Sequence, residues 1–228
     1  MTSFCRIILI LLILPAQIIS AQTADSKISL NGYITNMQSV MFQDIDENWI
    51  TDNLIHNRLN VYWYPSENIS ASLQIRNRLI FGETLKYTPG YVENTSKSSG
   101  WIDLSANIAS GDSYVLNTGI DRLWFQATTG KLVTTIGRQR INWGQNLVWN
   151  PNDIFNVYSY FDVDYEERPG SDALRFQLYP DLTSTAEITV KADSGDNITA
   201  AALYRFNKWN YDIQLLGGIL NSEDYVGG

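Results

Sequence analysis

From Lys27 onward, apolar and polar residues alternate one for one over most of the chain. That is the spacing at which successive side chains of a β-strand point to opposite faces. The pattern is clearest over residues 69 to 81. Ile69, Ala71, Leu73, Ile75, Leu79 and Phe81 share one face, interrupted only by Asn77, while Ser70, Ser72, Gln74, Arg76 and Arg78 share the other. The preceding segment sets Ile55, Leu59, Val61 and Trp63 against His56, Arg58, Asn60 and Tyr62. Parity then makes Trp63 and Ile69 neighbours across a tight loop of Pro65, Ser66 and Glu67, with Asn68 suited to a left-handed position. A second hairpin turns at Thr129-Gly130, with Leu123, Phe125, Ala127, Leu132, Thr134 and Ile136 on one face. A third turns around residues 180 to 183 with Leu174, Phe176, Leu178, Ala186, Ile188 and Val190 outward, and a fourth turns around Lys208-Trp209. Adding a first strand near residues 27 to 41 gives nine strands, or ten if another begins at Tyr225. No segment carries a convincing helical period.

The connections sort by length. Those after strands two, four, six and eight are a few residues long, whereas residues 42 to 52, 83 to 115 and 141 to 171 form long loops after strands one, three and five; the connection after strand seven, residues 192 to 197, is shorter but polar. Tight turns at one end and extended loops at the other belong to an antiparallel up-and-down transmembrane β-barrel, with periplasmic turns and outer loops. A soluble sandwich also alternates but has no reason to sort its connections in this way. Exposed strand backbone in hydrocarbon requires a closed sheet, and the hairpin arms match the roughly 9–11 residues needed to cross a bilayer. Trp63, Tyr64, Tyr179, Phe206, Trp209 and Tyr211 gather at the short-turn ends, where an interfacial girdle belongs. Bacterial single-chain barrels have even strand numbers. A count of nine therefore leads to the expectation that these 228 residues are the N-terminal part of a larger barrel.

Composition adds an address. Arg6, an apolar run over residues 7 to 14 and small residues ending at Ala21 read as a secretory leader over residues 1 to 21, with an uncleaved anchor as the alternative. Residues 22 to 228 would then be the barrel domain. The apolar run is too short for a spanning helix, which needs about 20 residues. The single cysteine, Cys5, lies inside the leader, so the remainder has neither a disulfide framework nor a thiolate metal site. The net charge is −8, and loss of Arg6 makes it one unit more negative. Such an acidic chain is poorly suited to nucleic acid. The expected partners are outer-membrane lipid and small solutes; no cofactor and no metal is indicated, and the oligomeric state is left open.

If the apolar faces meet lipid, the opposite faces carry a basic wall of His56, Arg58, Arg76, Arg78, Arg122, Arg175 and Arg205, with Lys191. Inward acids on the strands reduce by the same parity to Glu187 and Asp212. Arginine rings favour anions in pores; the competing reading is that these arginines pair with loop carboxylates to pack the interior. Asp162, Asp164, Glu166 and Glu167 in the long loop after strand five are the candidates for an opposing constriction, unless that loop simply projects outward. The same acids lack the EF-hand spacing and its glycine for calcium.

One stretch breaks the alternation. Residues 137 to 153 place Arg138, Arg140, Trp143 and Asp153 close together. Parity aims both arginines at lipid, at ~2–4 kcal/mol for a mid-bilayer Arg. They therefore sit at the interface, or a bulge at Gly137 turns them inward. Trp143 belongs near the outer interface, and Asn150-Pro151 with Asp153 starts the loop as a pore-rim anchor. Gly137 to Gln139, Trp143-Gly144, Asn150 to Asp153 and Arg168 to Gly170 form a GRQ…WG…NP.D…RPG pattern. Over about residues 130 to 180 it resembles a little-characterised family of bacterial outer-membrane barrels of Bacteroidetes type, in which this pattern joins one strand to the next. The resemblance implies an outer-membrane channel or exporter and supplies no substrate and no catalytic residue.

Three functions follow from these expectations. A porin-like channel would pass small hydrophilic solutes by diffusion, anions being favoured if the arginine wall is what counts. A non-conducting surface adhesin or sugar-binding β protein is the alternative, since long polar loops allow it. A barrel enzyme is disfavoured: His56 is the sole histidine, no serine stands at a catalytic spacing from it, and GxSxG is absent.

Overall fold

The computed structural model describes residues 26–42, 46, 49–98, 100–144, 151–155 and 170–228. Among them are eleven strands: β1 Ile28–Met41, β2 Ile50–Ser66, β3 Ile69–Gly82, β4 Ser105–Gly111, β5 Tyr114–Thr129, β6 Leu132–Gln139, β7 Ser171–Leu178, β8 Thr185–Ala192, β9 Ile198–Lys208, β10 Tyr211–Leu220 and β11 Asp224–Gly227. They form one antiparallel sheet in the order β1-β2-β3-β5-β6-β7-β8-β9-β10-β11. β4 lies off this path. It pairs with the first half of β5, Tyr114 to Gly119, while β6 pairs with the second half, Leu123 to Thr129. Two strands thus share one edge of β5. The expected leader at residues 1 to 21 lies outside the described residues.

The all-β, antiparallel, up-and-down reading matches this sheet; the barrel does not. The sheet is open, with β1 and β11 at its two edges. Alternation specifies which face each residue occupies, not whether the last strand returns to the first. The count of nine is also corrected. β4, Ser-Ala-Asn-Ile-Ala-Ser-Gly, contains only small residues and one Ile, so it offers almost no period-2 contrast. β11 corresponds to the strand expected at Tyr225. Two single-turn helices, α1 Thr84–Tyr87 and α2 Tyr91–Thr95, occupy the loop before β4 and are too short to show a period. Among the described residues no helix is long and apolar enough to cross a membrane, which says nothing about strands.

Turn positions move by one or two residues. Ser66 pairs with Ile69 and Trp63 with Ala71, because an irregularity between Trp63 and Ser66 absorbs the slack and leaves Glu67-Asn68 as the turn. The next hairpin turns at Gly130-Lys131, with Thr129 opposite Leu132 and Gly130 at φ 59°. The β9–β10 turn is Trp209-Asn210, both at positive φ, the backbone of a type I′ turn whose twist suits a hairpin. In the β7–β8 turn the Asp181 carboxyl accepts from the backbone and hydroxyl of Thr183 at 2.8 and 2.9 Å. Those bonds hold it below its ordinary pKa.

The two faces differ in kind. Leu123, Phe125, Leu174, Phe176, Ile188, Val190 and Leu215 lie on one face and are exposed, Ile188 at 57 % and Leu215 at 55 %. No second layer of described residues covers them. On the other face the loops fold back. α1 and α2 bring Leu85, Tyr91 and Val92 onto Leu54, Ile80 and Val115. The segments on either side of the 145–150 stretch bring Ile141, Trp143, Ile154 and Phe155 onto Ala173, Ala201, Leu203 and Leu216.

Gly137 has a backbone no other residue would share at low cost. It lies at φ 109°, and a Cβ there would press on the Leu123 carbonyl oxygen. Gly137→Ala is expected to destabilise the protein by about 1–3 kcal/mol from strain alone. The shift of a urea midpoint at constant m-value measures it; an unchanged midpoint would show that the chain relaxes at Gly137 freely.

Candidate functional site

The inner, polar face is built around one carboxylate. Between Gln74 and Ile75 of β3 the partner strand β5 carries an extra residue, because Gln74 faces Arg122 while Ile75 faces Ile120. The extra residue is Asp121. A β-bulge resets the alternation of its strand. Residues 114 to 120 therefore send their odd-numbered members inward and residues 122 to 126 their even-numbered ones, with both Asp121 and Arg122 buried at the junction. Simple parity from Leu123 would have turned Asp121 outward.

Asp121 takes two arginines. Arg58 Nη1 donates to its Oδ2 at 2.9 Å, and Arg76 Nε lies 3.4 Å from Oδ1. Arg58, 1 % exposed, also donates to Asn60 Oδ1 at 3.1 Å and to Gln74 Oε1 at 2.7 Å. Gln74 is oriented in turn by Tyr62 OH and Ser72 Oγ. The arrangement satisfies a guanidinium that has lost its water. Arg122 donates to the Asp121 carbonyl at 2.8 Å. Arg78 donates to the Thr95 carbonyl at 3.0 Å and to Asn117 Oδ1 at 3.1 Å. His56 is buried, edge-on to the Tyr33 ring at 5.5 Å.

A second cluster lies across the face. Arg175 makes a two-pronged pair with Glu187 at 2.7 Å for each arm. Glu187 also accepts from Trp143 Nε1 at 2.6 Å and from Thr189 and Gln177. Trp143, 1 % exposed, stacks edge-on against Phe155 at 4.9 Å, and its carbonyl accepts from Gln214, the residue that also holds Arg205. The Phe155 carbonyl accepts from Lys191 Nζ and Ser171 Oγ. Trp143 therefore does not sit at an outer interface, as its place near a strand end had indicated. It is driven onto the inner face because its ring finds apolar partners there and its N–H finds a buried carboxylate.

The structure brings Arg58, Arg76, Arg78 and Arg122 together and places Arg175 and Arg205 in the second cluster. The basic wall is partly neutralised, by the strand acids Asp121 and Glu187. Arg138 resolves differently from either expected alternative. Register runs unbroken through Gly137, so no residue is inserted, and Arg138 stays opposite Leu123 and Asp172. It is buried by ion-pairing with Asp172 at 2.7 Å and by donating to the Ile102 and Ile120 carbonyls. Arg140, just past β6, is exposed, and Asp153 is buried in the returning segment. Asp162, Asp164, Glu166 and Glu167 lie outside the described residues. Asp121 and Asp172 were missed by sequence reasoning; the adjacent charges of Asp121-Arg122 within a strand were the available sign of a bulge. Among the described residues no group of three His, Cys, Asp or Glu side chains is placed to hold a metal.

No protein-family model, no curated protein and no solved structure matches this chain.

Removing the shared carboxylate is the sharpest test of this arrangement. Asp121→Ala leaves Arg58 buried without its anion and is expected to cost about 3–5 kcal/mol, the usual penalty for breaking a buried pair from one side. Pairing it with Arg58→Met in a denaturant double-mutant cycle should recover most of that loss. Additive effects would show that the two side chains do not depend on each other.

Proposed function

We propose that this sheet is the wall of an outer-membrane channel through which small hydrophilic solutes diffuse, with anions favoured. The observation that carries the reading is the sheet's two-facedness. A large apolar face that no layer of described residues covers calls for an apolar partner, and the opposite face is a connected network of buried arginines, carboxylates and amides. Lipid outside and water inside satisfies both at once. The girdle supports it: Trp63, Tyr64, Tyr179, Trp209 and Tyr211 are exposed at the tight-turn end. β2 and β5, at 17 and 16 residues, exceed the span of a bilayer and carry the wall beyond it. Closure requires that the β1 and β11 edges be met by strands beyond those described or by another copy of the sheet. The resemblance in residues 137 to 170 points the same way.

A second reading has its own support. Leu85, Tyr91 and Val92 from one loop, and Ile141, Trp143 and Phe155 from another, lie on the inner face and narrow it. Such plugging suits a non-conducting barrel that displays its loops.

One experiment separates the two. Full-length protein in planar bilayers is expected to give stepwise conductance with reversal potentials favouring the anion across a salt gradient. Silence in repeated insertions would overturn the channel and leave the display reading. The membrane itself is tested by Ile188→Arg. Folding in phospholipid vesicles, followed by tryptophan fluorescence in urea, should lose about 2–4 kcal/mol if Ile188 lies near mid-bilayer. A loss below about 0.5 kcal/mol, the ordinary surface value, would put that face in water.

A further inference from the structure

We propose that the inner face holds a binding site for a small oxyanion, between β3, the β4–β5 hairpin and the strand end at Arg138. It deepens the channel reading and rests on that reading's wet interior. A cavity of about 180 Å³ opens there, lined by Arg76, Arg78, Lys97 and Arg138. Among the described residues the lining contains one carboxylate, Asp121, which Arg58 also engages from outside the cavity, and Arg138 is paired with Asp172 just beyond it, so the positive charge of the site comes from Arg76, Arg78 and Lys97. The excess of positive charge is set by the fold: Arg76 and Arg78 are two residues apart on one strand and so project to the same side. The bulge places Asp121 beside Arg76, whose Nε lies 3.4 Å from its Oδ1. Arginine forks match the oxygen geometry of phosphate and carboxylate, and a partly desolvated setting strengthens each charge-assisted bond. The volume admits an inorganic phosphate or a small carboxylate.

Gly119 gives the site an independent handle. It lines the cavity, and a Cβ there would meet Ser105 Oγ at 3.6 Å and the Leu104 carbonyl oxygen at 3.7 Å, both ordinary contact distances. Gly119→Ala is therefore compatible with the fold, and Gly119→Leu fills the cavity while leaving every charge in place. Lys97 is exposed at the rim, so Lys97→Gln removes a cation without disturbing packing.

Titration calorimetry of the full chain in detergent micelles, first with inorganic phosphate and then with acetate, tests the proposal. Saturable binding is expected for phosphate, and weaker binding for acetate because it carries less charge. Lys97→Gln should weaken phosphate by about tenfold, the value of one charge-assisted bond. Gly119→Leu should abolish binding, and Gly119→Ala should leave it intact. Absence of saturable heat with either anion overturns the site, as does phosphate binding that survives both Lys97→Gln and Gly119→Leu unchanged. The outcome is separable from the channel's: binding without conductance removes the channel and keeps the site, whereas conductance without binding does the reverse.

Discussion

A guanidinium withdrawn from water is costly unless acceptors replace its hydration, and this sheet withdraws Arg58, Arg122 and Arg138 almost completely. Each is met in a different way. Arg58 has the carboxylate of Asp121 with two amide oxygens, Arg122 a backbone carbonyl, and Arg138 the carboxylate of Asp172 with two carbonyls. These partners come from distant parts of the chain: Asp121 is 63 residues from Arg58, and Asp172 is 34 from Arg138. The Arg58–Asp121 pairing exists only when β2, β3 and β5 are in register, and the Arg138–Asp172 pairing only when β6 and β7 are. A slip of one residue in β2 or β3 would turn Arg58, or Arg76 and Arg78, to the apolar side. The arginines thereby fix register as well as line a surface.

The returning loops depend on the same chemistry. Burying Phe155 and Ile141 contributes roughly 1.5–3 kcal/mol for each side chain. That gain is available only because their backbone and polar neighbours are also satisfied. Lys191 and Ser171 cap the Phe155 carbonyl, Gln214 caps that of Trp143, and Glu187 takes the indole N–H. Glu187 thus joins the Arg175 pair to the loop. The inner face is not uniformly polar; it alternates polar networks with apolar landing places for its own loops.

Much of the sheet was legible in the sequence because the code for strand faces is local. Ile69 to Phe81 alternate against arginines and glutamine, and the structure pairs them on both sides as the parity requires. The strand ends were less legible, since irregularities such as the one between Trp63 and Ser66 move a turn without altering the pattern on either side. β4 was hidden by composition: small residues alternate with small residues. Asp121 was hidden by logic, because parity counted from Leu123 cannot see an inserted residue. Trp143 was misplaced because it lies beyond the last alternating residue, where tertiary partners decide and local pattern does not. Openness was never encoded in alternation at all.

The bulge at Asp121 joins these observations. With regular pairing through Gln74 and Ile75, β5 would need either to turn Asp121 to the apolar face or to shift Leu123, Phe125 and Ala127 inward. Inserting one residue avoids both outcomes. Leu116 and Ile120 above the insertion, and Leu123 and Phe125 below it, all remain on the apolar face, while Asp121 and Arg122 both stay on the polar one. The insertion also lies close to where β5 exchanges one edge partner for another, β4 pairing through Gly119 and β6 from Leu123. A bulge adds local bend and twist to its strand, which suits a point where one strand must serve two neighbours. The cavity lined by Arg76 and Arg78 opens at that junction, beside the carboxylate that the irregularity places.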